Sequence, residues 1–457
     1  MNKYFGTDGF RGEAGVELTA EHAFKIGRFL GRFLLKKDND DAENIKPRVV
    51  IGKDTRLSGY MLEYAIASGL AASGADVYLA HVITTPGLTY LTVKDGFSLG
   101  IMITASHNPF YDNGIKVIDS HGEKIDDATA GLIEEYIDSI LDTLPFATGD
   151  KIGRIYDYPK GREDYVRHLI SLSPCMLSGL RIGLDSANGA AYDISRSVFE
   201  SLGAEVFSIG KSPDGMNINR DCGSTHIDAL ASFVKEKALD LGFAFDGDAD
   251  RCIATDKDGN TVDGDGIIYV LAKRFLHQNQ MQNKGVVVTV MSNGGLIKSL
   301  EKLGLKVEIT KVGDRFVFER MREVDSVLGG EQSGHIIMRN YSSSGDGLLT
   351  AIMLASEIEE CEVGLDKLTD GLNIYPQVSN SFYVKSKALV MEDKELLRLV
   401  KNLNTELSSS DGRLIVRASG TEPKIRVMAE AGSLSLCEKC IKTILSFLRE
   451  KGYLDEK

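Results

Sequence analysis

The sequence has no basic excess, no long apolar run and too few cysteines to be held together by them. With 53 Lys and Arg against 66 Asp and Glu, the net charge is −13. Nucleic acids and anionic membranes need a basic footprint, so neither is an expected partner. An anionic substrate must instead meet a local cluster of cations. No stretch of 18 apolar residues occurs, and the opening Met1-Asn2-Lys3-Tyr4-Phe5-Gly6-Thr7-Asp8 lacks the apolar core of a signal peptide. A soluble, cytoplasmic protein is expected. Six cysteines in 457 residues are too sparse for a disulfide framework. Cys437 and Cys440 form a lone C-x-x-C within the helical pattern Leu436 to Leu448, without a second pair to make a metal site. Three nucleotide and hydrolase signatures are also missing: G-x-x-x-x-G-K-[ST], a G-x-G-x-x-G opening a helix, and G-x-S-x-G around Ser106. ATP-driven motors, dinucleotide enzymes and α/β-hydrolases lose ground accordingly.

What is present is an ordinary globular composition, 43% hydrophobic and 26% charged, in a chain long enough for three or four domains at about 100 to 200 residues each. A strand, a polar Gly-containing turn, a helix and a second strand recur three times. The first unit runs from Arg48–Gly59 to Ser73–Leu79, the second from Arg181–Gly189 to Leu202–Phe207, and the third from Gly285–Gly295 to Leu303–Ile309. Three βαβ units predict three similar α/β domains with largely parallel sheets, whose ligand-binding loops gather at strand C-termini. After Tyr375-Pro376 the pattern changes to a strand over 381–384, a helix over 393–407, strands over 413–417 and 424–430, and a helix over 434–451. The expected architecture is thus three mixed α/β domains, 1–155, 156–256 and 257–372, and a smaller α+β domain, 373–457, around a central cleft.

Four polar loops carry candidate chemistry. Thr104-Ala-Ser106-His107-Asn108-Pro109 lies between two apolar runs, where a reactive hydroxyl would be placed, and Asn113-Gly114 predicts a tight turn closing it. Asp246-Gly-Asp248-Ala-Asp250-Arg251 sets three acids at alternate positions past an apolar strand, as a hard divalent cation such as Mg²⁺ requires. An EF-hand is excluded because the sixth loop position is Arg251 rather than Gly. Arg251 can tune that site or hold a phosphate, and a phosphorylated Ser106 would supply the metal with an anion. Gly329-Gly-Glu331-Gln-Ser333-Gly-His335 offers a carboxylate, a hydroxyl and an imidazole suited to vicinal sugar hydroxyls. Arg417-Ala-Ser419-Gly420-Thr421-Glu-Pro-Lys-Ile-Arg426 has the hydroxyls, backbone N–H groups and guanidiniums that grip a non-reacting phosphate. Arg11 and Lys116 are further cations within reach of a transferring phosphoryl group. Each loop alone also reads as a solvated turn.

Taken together, T-A-S-H-N-P with N-G-I-K, D-G-D-A-D-R, G-E-Q-S-G-H and R-A-S-G-T-E-P resemble the α-D-phosphohexomutase superfamily over essentially the whole chain. F-G-T-D-G-F-R-G at the N-terminus and S-G-D-G-L-L-T at Ser344 to Thr350 resemble its bacterial branch that interconverts glucosamine 6-phosphate and glucosamine 1-phosphate. The resemblance implies that Ser106 is a phosphoserine and that Asp246, Asp248, Asp250 and a Ser106 phosphate oxygen hold Mg²⁺. It implies that Glu331 and Ser333 hold sugar hydroxyls, and that Arg417, Ser419, Gly420, Thr421 and Arg426 hold the idle phosphate. Arg11, Lys116 and His335 become candidates for proton transfer and charge stabilisation, with His107 and Asn108 positioning the serine loop. The implied substrate is a small hexosamine phosphate. A hexose 1,6-bisphosphate primer or a kinase would charge Ser106, and a homodimer is a further expected partner state. Glucose or mannose phosphate as substrate, and a non-catalytic sugar-phosphate-binding regulator, stay open as alternatives.

Overall fold

The computed structural model describes residues 3–6, 8–37, 46–408, 411–419 and 423–455. These divide into two compact units, one of Met1–Val290 with Leu305–Asp370, the other of Met291–Gly304 with Gly371–Lys457.

Among the described residues, the first unit holds three sheets. The first comprises β1 (Phe5–Gly6), β2 (Gly9–Glu13), β3 (Arg48–Lys53), β4 (Asp76–Val82), β5 (Leu99–Ile103), β6 (Asp112–Asp119) and β7 (Ile155–Asp157). The second comprises β8 (Arg181–Asp185), β9 (Glu205–Ile209), β10 (Leu241–Phe245), β11 (Cys252–Asp256) and β12 (Thr261–Val262). The third comprises β13 (Gly285–Thr289), β14 (Lys306–Thr310), β15 (Leu328–Gly330) and β16 (Ile336–Met338). One spatial order recurs in all three: β4-β3-β5-β6, β9-β8-β10-β11 and β14-β13-β15-β16. In each, the first three strands are parallel and the fourth returns antiparallel.

That fourth strand corrects the largely parallel sheets expected from the βαβ repeats. The polar loops between β5 and β6, β10 and β11, and β15 and β16 span 104–111, 246–251 and 331–335. They are too short for the crossover of a dozen or more residues that a parallel neighbour needs, so the chain must turn straight back. The serine, aspartate and sugar motifs therefore occupy the same topological position, at the C-terminal end of a strand where a parallel sheet gives way to a hairpin. Asn113-Gly114 is likewise not a turn. Both residues lie in β6 and pair with Gly12 and Arg11 of β2, and a Cβ on Gly114 would come within 2.5 Å of the Thr104 carbonyl oxygen.

Helices cover the sheets because their apolar faces have nowhere else to go. Ile26 and Leu30 of helix Ala20–Lys37 and Ile66 and Leu70 of helix Gly59–Ala72 are fully buried with Val49, Ile51 and Val77. The two helices cross closely at facing glycines: a Cβ on Gly27 would lie 2.3 Å from the Ile66 carbonyl oxygen, and one on Gly69 2.2 Å from that of Phe24. Helix Thr85–Lys94 starts at Thr84, whose hydroxyl accepts from the Gly87 N–H, with Pro86 in the first turn.

In the second unit, β17 (Gln377–Tyr383), β19 (Lys424–Glu430) and β18 (Arg413–Ala418) form an antiparallel sheet in that order. Helices Lys394–Ser408 and Leu434–Glu450 pack Leu396, Leu403, Ile441 and Ile444 against it. Here β17 begins four residues before the expected strand, immediately after Pro376. Cys437 and Cys440 are buried members of this apolar core. Helix Gly294–Lys302, the crossover between β13 and β14, belongs to this unit. Gly294 N–H donates to Glu430 Oε1 at 3.0 Å, and Asn293 Nδ2 to the Tyr375 carbonyl at 2.9 Å. No helix among the described residues is long and apolar enough to cross a membrane.

Candidate active site

Strand β5 delivers Ser106 in a left-handed backbone conformation, with φ of 52°, and fully buried. Such a non-glycine conformation costs about 1–3 kcal/mol and persists only where its surroundings over-determine it. The Ser106 N–H donates to Thr104 Oγ1 at 2.9 Å. Its carbonyl accepts from Arg56 Nη2 and from Asn219 Nδ2, each at 2.8 Å. The same two side chains reach the Asn108 carbonyl at 2.8 and 3.1 Å, and Arg56 also donates to the carbonyls of Pro109 and Asp112. Asp54 fixes Arg56 in turn, through an Oδ2 that accepts from Nε at 2.8 Å. One buried guanidinium thus satisfies four carbonyls of the loop. Asn108 Nδ2 ties the loop to itself by donating to Asp112 Oδ2 at 2.9 Å.

Ser106 Oγ donates to Asp246 Oδ2 at 2.5 Å and lies 3.4 Å from His107 Nδ1. Burial, assisted by Arg251 and Arg11, pushes His107 down to about 4, so its ring is neutral at pH 7.

Asp246, Asp248 and Asp250 are all buried, and each offers a carboxylate oxygen within 4.8 Å of the others. Burial, compounded by Asp250 and Asp248, drives the Asp246 carboxyl well above the usual range. Asp248 Oδ1 and Asp250 Oδ1 are buried and accept no hydrogen bond. Three converging carboxylates with orphaned oxygens fit a hard divalent cation. Thr85 braces the loop from outside: its Oγ1 donates to Asp248 Oδ2 at 2.5 Å and its N–H to the Asp248 carbonyl at 3.0 Å. Gly247 lets this loop touch the serine loop, since a Cβ there would lie 2.5 Å from the Ser106 carbonyl oxygen.

Lys116, on β6, donates to Asp248 Oδ2 at 2.8 Å and to Asp250 Oδ2 at 3.4 Å. Burial alone would lower its pKa, but Asp248, Asp8 and Asp250 outweigh it and raise it. The Arg251 N–H donates to Asp246 Oδ1 at 3.2 Å, and its Nε lies 3.7 Å from Asp250 Oδ1. Arg11 pairs with Asp8.

The sugar loop is anchored differently. Its His335 is buried, with Nδ1 3.7 Å from Asp250 Oδ1 and Nε2 3.8 Å from Asp314 Oδ2. Burial lowers its pKa, but Asp250, Asp314 and Glu331 lift it to about 9. The Gly345 N–H aimed at Nε2 from 3.1 Å opposes that rise by favouring an unprotonated nitrogen. Two nearby carboxylates outweigh one backbone dipole, so the upward direction holds. Glu331 is half-buried and accepts from the Gly313 N–H at 3.0 Å, while Ser333 is exposed.

In the second unit, Arg417 and Arg426 face each other in the β18–β19 register, and Ser381 of β17 faces Arg426 from the other side. They share a cavity of about 150 Å³ with Asn380 and Met428. Ser419 is buried, its N–H donating to the Lys424 carbonyl at 2.9 Å. Gly420 and Thr421 lie outside the described residues.

Comparison with known proteins identifies the family. Models of the phosphoglucomutase/phosphomannomutase alpha/beta/alpha domains I, II and III match residues 2–143, 163–259 and 263–375, and that of its C-terminal domain matches 382–445. The chain belongs to the phosphoglucomutase/phosphomannomutase family. It is an enzyme, a phosphohexomutase of the isomerase class. The phosphoglucosamine mutase of Lachnoclostridium phytofermentans is 48% identical over 454 residues, covering 99% of this chain and 100% of that protein. The structure of a phosphoglucomutase/phosphomannomutase family protein from Burkholderia thailandensis shares the fold at a TM-score of 0.79 and 24% identity, over 98% of both chains. That of Aspergillus fumigatus N-acetylphosphoglucosamine mutase, in complex with GlcNAc-6P and magnesium, does so at 0.72 and 17%, over 98% of this chain and 96% of that one.

For this phosphohexomutase, sequence reasoning missed Arg56, Asn219, Thr85, Asp8, Lys124 and Asp314. Arg56 lay in view within Asp54-Thr-Arg-Leu, read only as the turn after a strand. Its partners are some 50 residues further on, and no local pattern links them.

Proposed function

We propose that this chain is a phosphoglucosamine mutase, converting glucosamine 6-phosphate and glucosamine 1-phosphate reversibly through a phosphoserine at Ser106. The observation that carries the chemistry is Ser106 Oγ bound at 2.5 Å to Asp246 inside a buried cluster of three aspartates. The amino-sugar preference is supported by the 48% identical phosphoglucosamine mutase. We take the domain limits as 1–155, 156–256, 257–372 and 373–457, and the cytoplasm as the place of action.

In the first half-reaction the bond between phosphorus and Ser106 Oγ breaks and one to the sugar O1 forms. The sugar hydroxyl gives up its proton and Ser106 Oγ gains one. Glucosamine 1,6-bisphosphate and a free serine result. The sugar then reverses: a bond from phosphorus to Ser106 Oγ forms as the hydroxyl gives up its proton, the bond from phosphorus to the sugar O6 breaks and O6 gains a proton, which releases glucosamine 1-phosphate and restores the phosphoserine. When Ser106 Oγ attacks, its proton has an acceptor already hydrogen-bonded to it, Asp246 Oδ2. Lys116, held by Asp248 and Asp250, keeps its proton and serves as a fixed positive charge for the phosphoryl oxygens. Arg11, Arg251 and His335 add charge and hydrogen bonds around the same centre, and His107 and Asn108 keep the serine loop in place. Glu331, Ser333 and His335 hold the sugar hydroxyls, while Arg417, Ser419, Gly420, Thr421 and Arg426 hold the phosphate that is not reacting. Asp246, Asp248, Asp250 and a phosphoserine oxygen would hold Mg²⁺, which neutralises charge on the phosphoryl group. A hexose 1,6-bisphosphate primes the serine; a kinase acting on Ser106 and a homodimer are the macromolecular partners of this reading.

The test is a mutase assay with Mg²⁺ and a hexose 1,6-bisphosphate primer, offering glucosamine 6-phosphate, glucose 1-phosphate and mannose 1-phosphate side by side. Glucosamine phosphate should win in kcat/KM. A win for glucose or mannose phosphate would overturn the sugar assignment and leave the serine chemistry standing.

A further inference from the structure

Around the serine and metal loops, six side chains form a closed ring in which each neighbour pairs an acid with a base. Asp250 Oδ2 lies 3.4 Å from Lys116 Nζ, and Lys116 Nζ 3.6 Å from Asp8 Oδ1. Asp8 Oδ1 lies 2.7 Å from Lys124 Nζ, and Lys124 Nζ 2.6 Å from Asp314 Oδ2. Asp314 Oδ2 lies 3.8 Å from His335 Nε2, and His335 Nδ1 3.7 Å from Asp250 Oδ1, where the ring closes. The members come from the β1–β2 turn, β6, the turn after β6, the first residue of helix Asp314–Glu323, the sugar loop and the metal loop. The Asp250–Lys116 pair therefore ties the second sheet to the first and the Lys124–Asp314 pair ties the first to the third, while His335 lies between Asp250 and Asp314 at van der Waals distance, its Nε2 accepting from the Gly345 N–H.

Lys116, His335 and Asp250 already have roles in the proposed reaction; Asp8, Lys124 and Asp314 have none. Lys124 makes the two shortest contacts of the ring and joins the serine-bearing sheet to the sugar-bearing one. Two other ion pairs reach the same helix, Glu123–Arg322 from the same turn and Asp127–Arg315 from the first residue of helix Asp127–Asp138. Both have more exposed partners, and exposed pairs hold geometry weakly. The Lys124 side chain is 26% exposed and that of Asp314 20%, so their contact is less screened and more directional.

We infer that Lys124 and Asp314 are positioning residues that fix His335, and with it the sugar loop, relative to Lys116 and the metal loop. The inference rests on the mutase reading for its kinetic consequence, though not for its structural one. A bisphosphorylated sugar that reverses must meet the same sugar loop in two orientations, with each phosphoryl group brought in turn to one Oγ. An error of position there costs rate in both half-reactions, and the ring shares one alignment between them.

Two readouts test this. The first is kinetic. Lys124→Met should lower kcat about tenfold while KM for glucosamine phosphate changes less than about threefold, and Lys124→Arg should stay within about threefold of the parent. The second does not depend on activity. In ¹⁵N-histidine spectra of the full chain, with His335 assigned by its loss in His335→Gln, Lys124→Met and Asp314→Asn should each move the His335 signal and leave those of the other seven of eight histidines in place. An unmoved His335 signal in both variants overturns the inference, even if the parent protein turns over none of the sugars. Equal kinetic damage from Lys124→Arg and Lys124→Met, with the same fall in melting temperature, also overturns it, because that pattern marks a packing role alone. If the parent fails the mutase assay while the His335 signal moves as stated, the mutase reading falls and the positioning role stands.

Discussion

The serine loop and the sugar loop sit at equivalent places in two copies of one sheet topology, yet they are held in opposite ways. In the serine loop the backbone is pinned from two sides by buried donors, Arg56 and Asn219, and the Ser106 side chain is fully enclosed. In the sugar loop the backbone hairpin carries Glu331 half-buried and Ser333 exposed. The difference teaches where positional accuracy is invested. On the proposed reading, the atom that makes and breaks bonds is fixed by its surroundings before substrate arrives, whereas the groups assigned to the sugar keep their hydrogen-bonding capacity for the ligand.

If this contrast is right, substitutions in the serine loop and its braces should cost kcat, and those at the sugar-loop side chains Glu331 and Ser333 should cost KM. The largest effect belongs to Ser106→Ala, which should lower kcat/KM about a thousandfold or more, keep the melting temperature within a few degrees and lack the phosphate that intact-mass measurement should find on the parent protein. Undiminished turnover in that variant would end the phosphoserine mechanism. Next comes Asp248→Asn, expected to cost about a hundredfold in kcat and to shift the Mg²⁺ titration to higher concentration. An unaltered metal response would remove this loop from the metal site.

Arg56→Lys should follow, with about a tenfold loss in kcat at nearly constant KM. Lysine keeps the charge but cannot serve four carbonyls from one planar fork, so chemical denaturation should also show a loss of about 1–3 kcal/mol. A rise in KM alone would break the comparison, because Arg56 would then be acting on binding. The smallest effects are those of Glu331→Gln and Ser333→Ala, read as KM increases of about tenfold and about threefold with kcat largely retained. A collapse of kcat in Ser333→Ala would show that the two loops do not divide their work in this way.

The features legible in the sequence were those written in contiguous residues. Asp246, Asp248 and Asp250 alternate along one short loop, and that spacing alone brings their carboxylates together. The βαβ repeats stand out because an apolar strand, a polar turn and a helix each leave a local pattern. The antiparallel return of β6, β11 and β16 was set by loop length, which the emphasis on apolar runs passed over. Asn113-Gly114 carried the chemistry of a turn, but pairing with β2 overrode it. Arg56, Asn219, Lys124 and Asp314 formed no local pattern that points to the site, since each is a single polar residue with a decisive partner 50 to 190 positions away. Their importance is created by the fold and cannot be read before it.

The threefold recurrence of one strand order also bears on how such an enzyme can change its substrate. Entry and exit of each polar loop are set by paired strands, so the five residues 331–335 form a cassette whose side chains can be exchanged without re-registering β15 and β16. The backbone of that cassette is not equally free: a Cβ on Gly264 would come within 2.1 Å of the Glu331 carbonyl oxygen and 2.8 Å of the Gly334 nitrogen. Diversification at this loop is therefore channelled into swaps of equal length, and if the loop holds the sugar as proposed, new sugar preferences should arise by substitution far more readily than by insertion or deletion.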